Sequence, residues 1–160
     1  MRRLLIPAAA AVAVLAFAVV NASAHGRHGG RGGGALTVVE HATTDAVTNG
    51  DASADKLGNV LTFANPVYDR TDATKVGSDQ GYCIRVVLGH SWECNWTTFL
   101  PDGQITVEGP FSDTGNTVVA ITGGTGAYRN ARGSMDLKYH NAAGTEFDFV
   151  FNLHGSDERH

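Results

Sequence analysis

The chain has 160 residues, a formal net charge of −4 and 18% charged residues, a length that suits one domain with a single core. Only two cysteines are present, and no basic cluster stands in the body of the chain. The acidic balance argues against nucleic acid as a partner and against an anionic membrane surface.

In chain order, Met1-Arg2-Arg3 is a short positive segment, followed by an apolar run from Leu4 to Val20 and the small-residue pattern Ala22-Ser23-Ala24. This is the layout of a cleaved export signal, so residues 1–24 are expected to be removed and the protein secreted. The run is short for a bilayer span and no stop-transfer charges follow it, so no membrane attachment is expected after cleavage. From residue 25 on, ten basic residues face sixteen acidic ones, a net charge of −6.

Residues 25–34, rich in Gly, His and Arg, offer nothing to bury and read as a flexible linker. Their two histidines could chelate a metal only without fixed geometry or supporting partners. The seven histidines of the chain show no zinc-type spacing with Cys or Glu, and no metal site or cofactor is expected.

From Ala35 the chain breaks into short apolar or alternating runs separated by Gly, Asn, Asp and Pro, the signature of strands. Eight are predicted, over 36–41, 60–68, 81–88, 92–99, 105–109, 117–122, 134–140 and 145–154, in a domain reaching residue 156 before a short tail, 157–160. The last strand is the clearest, with Phe147, Phe149, Phe151 and Leu153 on one face. Asn65 precedes Pro66 and suits a turn or bulge. Trp92 and Trp96 flank Cys94 on one bulky face, a core-packing pattern. Eight antiparallel strands make either a closed barrel or a two-sheet sandwich. A closed barrel of that size holds side chains or one small ligand.

The two cysteines pose a separate choice. Their midpoint falls at Leu88-Gly89, where a hairpin turn is plausible, so Cys83 and Cys94 would face each other across neighbouring strands. In an exported chain a disulfide persists. A bridged Cys83 cannot act as a free thiol.

Several blocks carry a family resemblance. Val60-Leu61-Thr62-Phe63-Ala64-Asn65-Pro66-Val67-Tyr68-Asp69, Gly77-Ser78-Asp79-Gln80-Gly81-Tyr82-Cys83 and the run from Gly103 to Gly109-Pro110-Phe111 resemble, in this order, segments of allene oxide cyclases. Gln80-Gly81-Tyr82 and the glycine-rich Gly123 to Gly133 are similar to dirigent proteins. The resemblance spans about residues 36–154. It implies an all-β fold, an eight-stranded antiparallel β-barrel, that binds a small lipophilic molecule and directs its cyclisation, isomerisation or coupling without a cofactor. It also leaves homo-oligomerisation open, as it does the alternative of a non-catalytic carrier or interaction module.

On residues, the resemblance implies Glu40 as the charged group of an isomerase-type site, Asn65 as its water-holding amide, and Cys83 as a cavity thiol if it is not bridged. Tyr82 and Arg132 would contact ligand. Two parts of the cyclase pattern have no counterpart: Ala42 replaces an Asn, and no Ser-Pro lies between Ala42 and Leu57. One water site is therefore expected to be incomplete.

Overall fold

The computed structural model describes residues 35–47 and 54–154; the expected export signal (1–24), the linker (25–34) and the tail (157–160) lie outside the described residues. Ten strands form in chain order: β1 (Leu36–His41), β2 (Ala46–Val47), β3 (Val60–Phe63), β4 (Pro66–Tyr68), β5 (Lys75–Val87), β6 (Ser91–Leu100), β7 (Gly103–Ser112), β8 (Thr117–Gly124), β9 (Gly133–Tyr139) and β10 (Glu146–Leu153). The described helical content is one 3-10 turn, Gly126–Tyr128.

All pairings are antiparallel. From β5 they run through β6, β7, β8, β9 and β10 to β1, then through β4 back to β5. That circuit is a closed eight-stranded barrel, and it decides against the sandwich. β2 pairs with β3, and β3 pairs with the C-terminal part of β5. Thus β1 with β2, and β3 with β4, act as two strands, each broken once. The first break falls at 42–45 and the second at Ala64-Asn65.

Register fixes which side chains face inward, because residues directly opposite share a face. Leu36, Val38 and Glu40 stand opposite Phe151, Phe149 and Phe147, and those three phenylalanines belong to the buried core. The same alternation turns Asn65, Val67, Asp79 and Cys83 inward beside them, together with Trp92, Cys94 and Trp96 of β6.

β5 differs most from its predicted extent, starting at Lys75 rather than Gly81. Its first inward positions are Gly77, Asp79 and Gly81, so the apolar alternation that marks a strand is missing there. The inward position 81 is held by glycine because β6 crosses too close for a side chain: a Cβ would lie 2.3 Å from the Cβ of Trp96.

The glycine-rich segment joins β8 to β9 at one end of the barrel. Gly126 adopts a φ of +59°, which favours glycine. The Ala127 N–H donates to the Asp102 carbonyl at 2.8 Å, and the Thr125 N–H to the Gln104 carbonyl at 2.9 Å. The segment thereby ties the β8–β9 connection onto the start of β7.

Candidate functional site

The site is built where the two broken strands meet. Asn65 fills the gap: its Oδ1 accepts from the Thr43 and Thr44 N–H groups at 3.0 and 2.9 Å and from the Thr44 hydroxyl at 3.0 Å. Its Nδ2 donates to Glu40 Oε1 at 2.7 Å and to Asp45 Oδ1 at 2.9 Å. The backbones of Asn65 and Asp79 pair in both directions, at 3.1 and 2.9 Å. Every polar group of the Asn65 amide is thus committed to protein, which leaves it as the clamp of Glu40 rather than a holder of water.

Glu40 and Asp79 form a buried carboxyl pair, 6% and 1% exposed. Asp79 Oδ1 accepts from the Asn65 N–H at 3.2 Å, whereas Oδ2 has no N–H or hydroxyl donor. The carboxyl of Glu40 is the neighbouring acid whose charge acts on Asp79. Two carboxyls in contact within an apolar interior cannot both be ionised cheaply. Burial is the main cause that pushes Asp79 up to about 9, with the charge of Glu40 adding to it. Burial also raises Glu40 to about 7, opposed first by the Asn65 hydrogen bond. Burial therefore keeps at least one proton within the pair at neutral pH, with Asp79 the more strongly raised carboxyl and Glu40 steadied by the Asn65 amide.

Glu40 lines a cavity of about 440 Å³, within the usual size range of small-ligand sites. Its walls include Phe63, Trp96, Phe111, Phe147 and Phe149, and Tyr139, Asp113 and Gly144 stand among its outer lining. Tyr139 donates its hydroxyl to the Ser112 carbonyl at 2.9 Å, and burial raises its pKa. The Trp96 indole N–H is buried without an acceptor. Beside the cavity Arg85 is tied to Asp55 at 2.7 Å and Asp113 at 2.5 Å, and its guanidinium lies over Trp92 at 3.9 Å.

The structure brings Glu40 and Asn65 together, with Glu40 in the cavity wall and Asn65 behind it. Cys83 and Cys94 are register partners joined by a disulfide that lines the cavity, so Cys83 has no free thiol. Tyr82 points out of the barrel and is 48% exposed, because it lies one residue out of phase with the inward Cys83. Arg132 is exposed at the glycine-rich end, opposite the cavity, where it donates to the Ala131 carbonyl at 2.7 Å. Neither Tyr82 nor Arg132 lines the cavity.

Sequence reasoning missed Asp79, Asp45 and Trp96 as site residues. A strand continued back through Gly77-Ser78-Asp79 would have turned Asp79 inward with Cys83, but that stretch lacks apolar residues. On the outer surface His41, Asp72 and Glu146 bring three ligand-type atoms within 4.8 Å of one another. Such a grouping has no linear spacing to reveal it.

The family model described as allene oxide cyclase matches residues 39–158. Among solved structures, a pyocyanin demethylase is 22% identical with a TM-score of 0.61, covering 73% of this chain and 99% of that one. A pterocarpan synthase dirigent protein is 21% identical with a TM-score of 0.60, covering 79% and 88%. An exo-specific intermolecular Diels-Alderase is 18% identical with a TM-score of 0.57, covering 77% and 100%. At these identities the likeness is one of fold, and the activities in the three names differ from one another.

Proposed function

The chain belongs to the allene oxide cyclase family, and on that premise we propose that it binds a small lipophilic molecule in the barrel cavity and directs its stereoselective cyclisation or isomerisation. The observation that carries this reading is Glu40, a carboxylate held at the wall of an aromatic cavity. A fixed carboxylate in a water-poor site stabilises positive charge as it develops on a reacting carbon framework, with no reorganisation at the moment of reaction. Asn65 keeps the carboxylate in place, and the Asp79 proton keeps the neighbouring group from adding a second charge. The aromatic walls restrict the ligand to few conformers, and the restriction sets the face on which a ring closes. The family's lipid-derived epoxides and the dirigent-type coupling partners are two chemistries of this kind.

One observation favours a second reading, a non-catalytic carrier. Asn65 is fully committed and Tyr139 already donates to a carbonyl, so the cavity has few ready donors for an oxyanion. The buried Trp96 indole N–H is a donor that a ligand oxygen would satisfy.

The two readings separate on Glu40→Gln, assayed with an unsaturated epoxide ester that cyclises spontaneously to a racemate. Under the catalytic reading the protein accelerates closure and gives an enantiomeric excess, and Glu40→Gln abolishes the acceleration while still binding the ester. Equal rates and a racemic product with both proteins would leave the carrier reading standing. Export to an oxidising compartment belongs to this proposal too, supported by the leader-like amino terminus and by the disulfide, a bond that persists outside the cytosol.

A further inference from the structure

On the outer face of the barrel, apart from the cavity, side chains converge from three distant parts of the chain. His41 ends β1, Glu146 opens β10, and the two are register partners. Asp72 comes from the turn between β4 and β5. His41 Nε2 meets Asp72 Oδ1 at 2.7 Å, and the ligand-type atoms of the three residues lie within 4.8 Å of one another. Each residue is held at its base. The His41 ring stacks on Tyr68 with centroids 4.2 Å apart. The Glu146 backbone pairs with β1, and its carbonyl accepts from the His140 N–H at 2.9 Å. Asp72, at a φ of +57°, is set by its N–H bond to the Asp69 carbonyl at 2.9 Å.

The protein itself supplies little to balance the two carboxylates. Among the described residues no Lys or Arg pairs with Asp72 or Glu146. Groups on and after β9 are engaged elsewhere: His140 is tied to Asp148 at 2.8 Å and Lys138 to Asp136 at 3.8 Å. An imidazole nitrogen with two carboxylate oxygens is a donor set for zinc-class ions, whereas calcium and magnesium take oxygen ligands. In a tetrahedral zinc site, donors about 2.0–2.2 Å from the ion stand about 3.4 Å from one another. The spacings here, 2.7 Å for one pair and at most 4.8 Å for the others, bracket that value, so small side-chain rotations suffice.

We propose that His41, Asp72 and Glu146 form a surface site for a zinc-class divalent cation, with water completing the coordination. The site stands independently of what the cavity binds. His41 and Glu146 adjoin Glu40 and Phe147 in the chain, so the ion braces from outside the two strands that carry these cavity-lining residues, and it pins the 69–74 turn to them.

Titration calorimetry with zinc chloride at pH 7.5 tests this on protein in which His25 and His28 are replaced by Ala, because those two histidines could hold zinc on their own. A single ion should bind in the micromolar range, magnesium and calcium should not compete at millimolar concentration, and thermal unfolding should move to higher temperature with zinc. Asp72→Asn keeps a residue type that accepts positive φ, and Glu146→Gln keeps the length of the side chain, so both variants should fold. Each should weaken zinc binding by about ten-fold or more, at least the loss that removing an outer partner of a metal ligand brings. Zinc affinity unchanged in either variant, competition by calcium or magnesium, or no binding at millimolar zinc overturns the site.

Discussion

Asp79 decides what Glu40 can do, although Asp79 is not among the residues that line the cavity. If Asp79 were ionised, its Oδ2 would be a buried oxygen with no donor, a defect that costs about 1–3 kcal/mol. Asp79→Asn replaces the shared proton by an amide that donates permanently. The variant should be as stable as the parent at pH 5 and more stable at pH 9, where the parent has to release the proton, and chemical denaturation at the two pH values checks this. Asp79→Leu should be destabilised at both, since the Asn65 N–H then loses its side-chain acceptor. At this scale the sequence was partly legible. Glu40 and Asn65 were named through the family resemblance of their segments, whereas Asp79 lies between two glycines and reads as turn, and Tyr82 and Arg132, named through the same resemblance, do not reach the cavity.

At the scale of elements, strand existence was readable and strand ends were not. The eight predicted runs correspond to the eight strands of the barrel, because half-buried strands alternate apolar and polar residues and turns carry Gly, Asn, Asp and Pro. The breaks at 42–45 and Ala64-Asn65 were not readable. They depend on one side chain, Asn65, bonding to a loop about twenty residues earlier in the chain, and alternation carries no trace of such a contact. Two predictions belong here. Gly81→Ala puts a methyl group where the Trp96 Cβ and the Asn95 carbonyl stand at 2.3 and 2.4 Å, so β5 and β6 must separate; a loss of about 1–3 kcal/mol, the usual cost of overpacking, is expected in urea unfolding, together with a change in Trp fluorescence. Removing the disulfide by a Cys83→Ser, Cys94→Ser double substitution should cost about 2–3 kcal/mol for a loop of this size. A native-like circular dichroism spectrum should persist, since the surrounding β5–β6 ladder has its own hydrogen bonds.

On the scale of the whole molecule, closure separates two ends with different work. One end is tied by the glycine-rich connection, and the other holds the acidic outer part of the cavity with Asp45, Asp113 and the 142–144 turn. The glycine-rich segment therefore serves the fold and lies away from the cavity. The site's ionisation also shapes the stability of the whole barrel. Glu40 and Asp79 both have folded-state pKa values above those of the unfolded chain, so the folded protein keeps protons that the unfolded chain releases. Their contribution is complete below the ordinary carboxyl range and is lost as pH rises through about 7 for Glu40 and about 9 for Asp79. Thermal unfolding should accordingly move to lower temperature between about pH 5 and pH 9, and the slope should flatten in Asp79→Asn.

The most direct test of the buried proton-sharing pair is a carbon-13 NMR titration of the side-chain carboxyls of Asp and Glu in the folded protein, with Glu40 and Asp79 assigned through Glu40→Gln and Asp79→Asn. Asp79 should be protonated at pH 7 and release its proton only toward about pH 9, and Glu40 should titrate at about 7. Two carboxyls that are both ionised by pH 5, with ordinary titration curves and no effect of one substitution on the other, would contradict it.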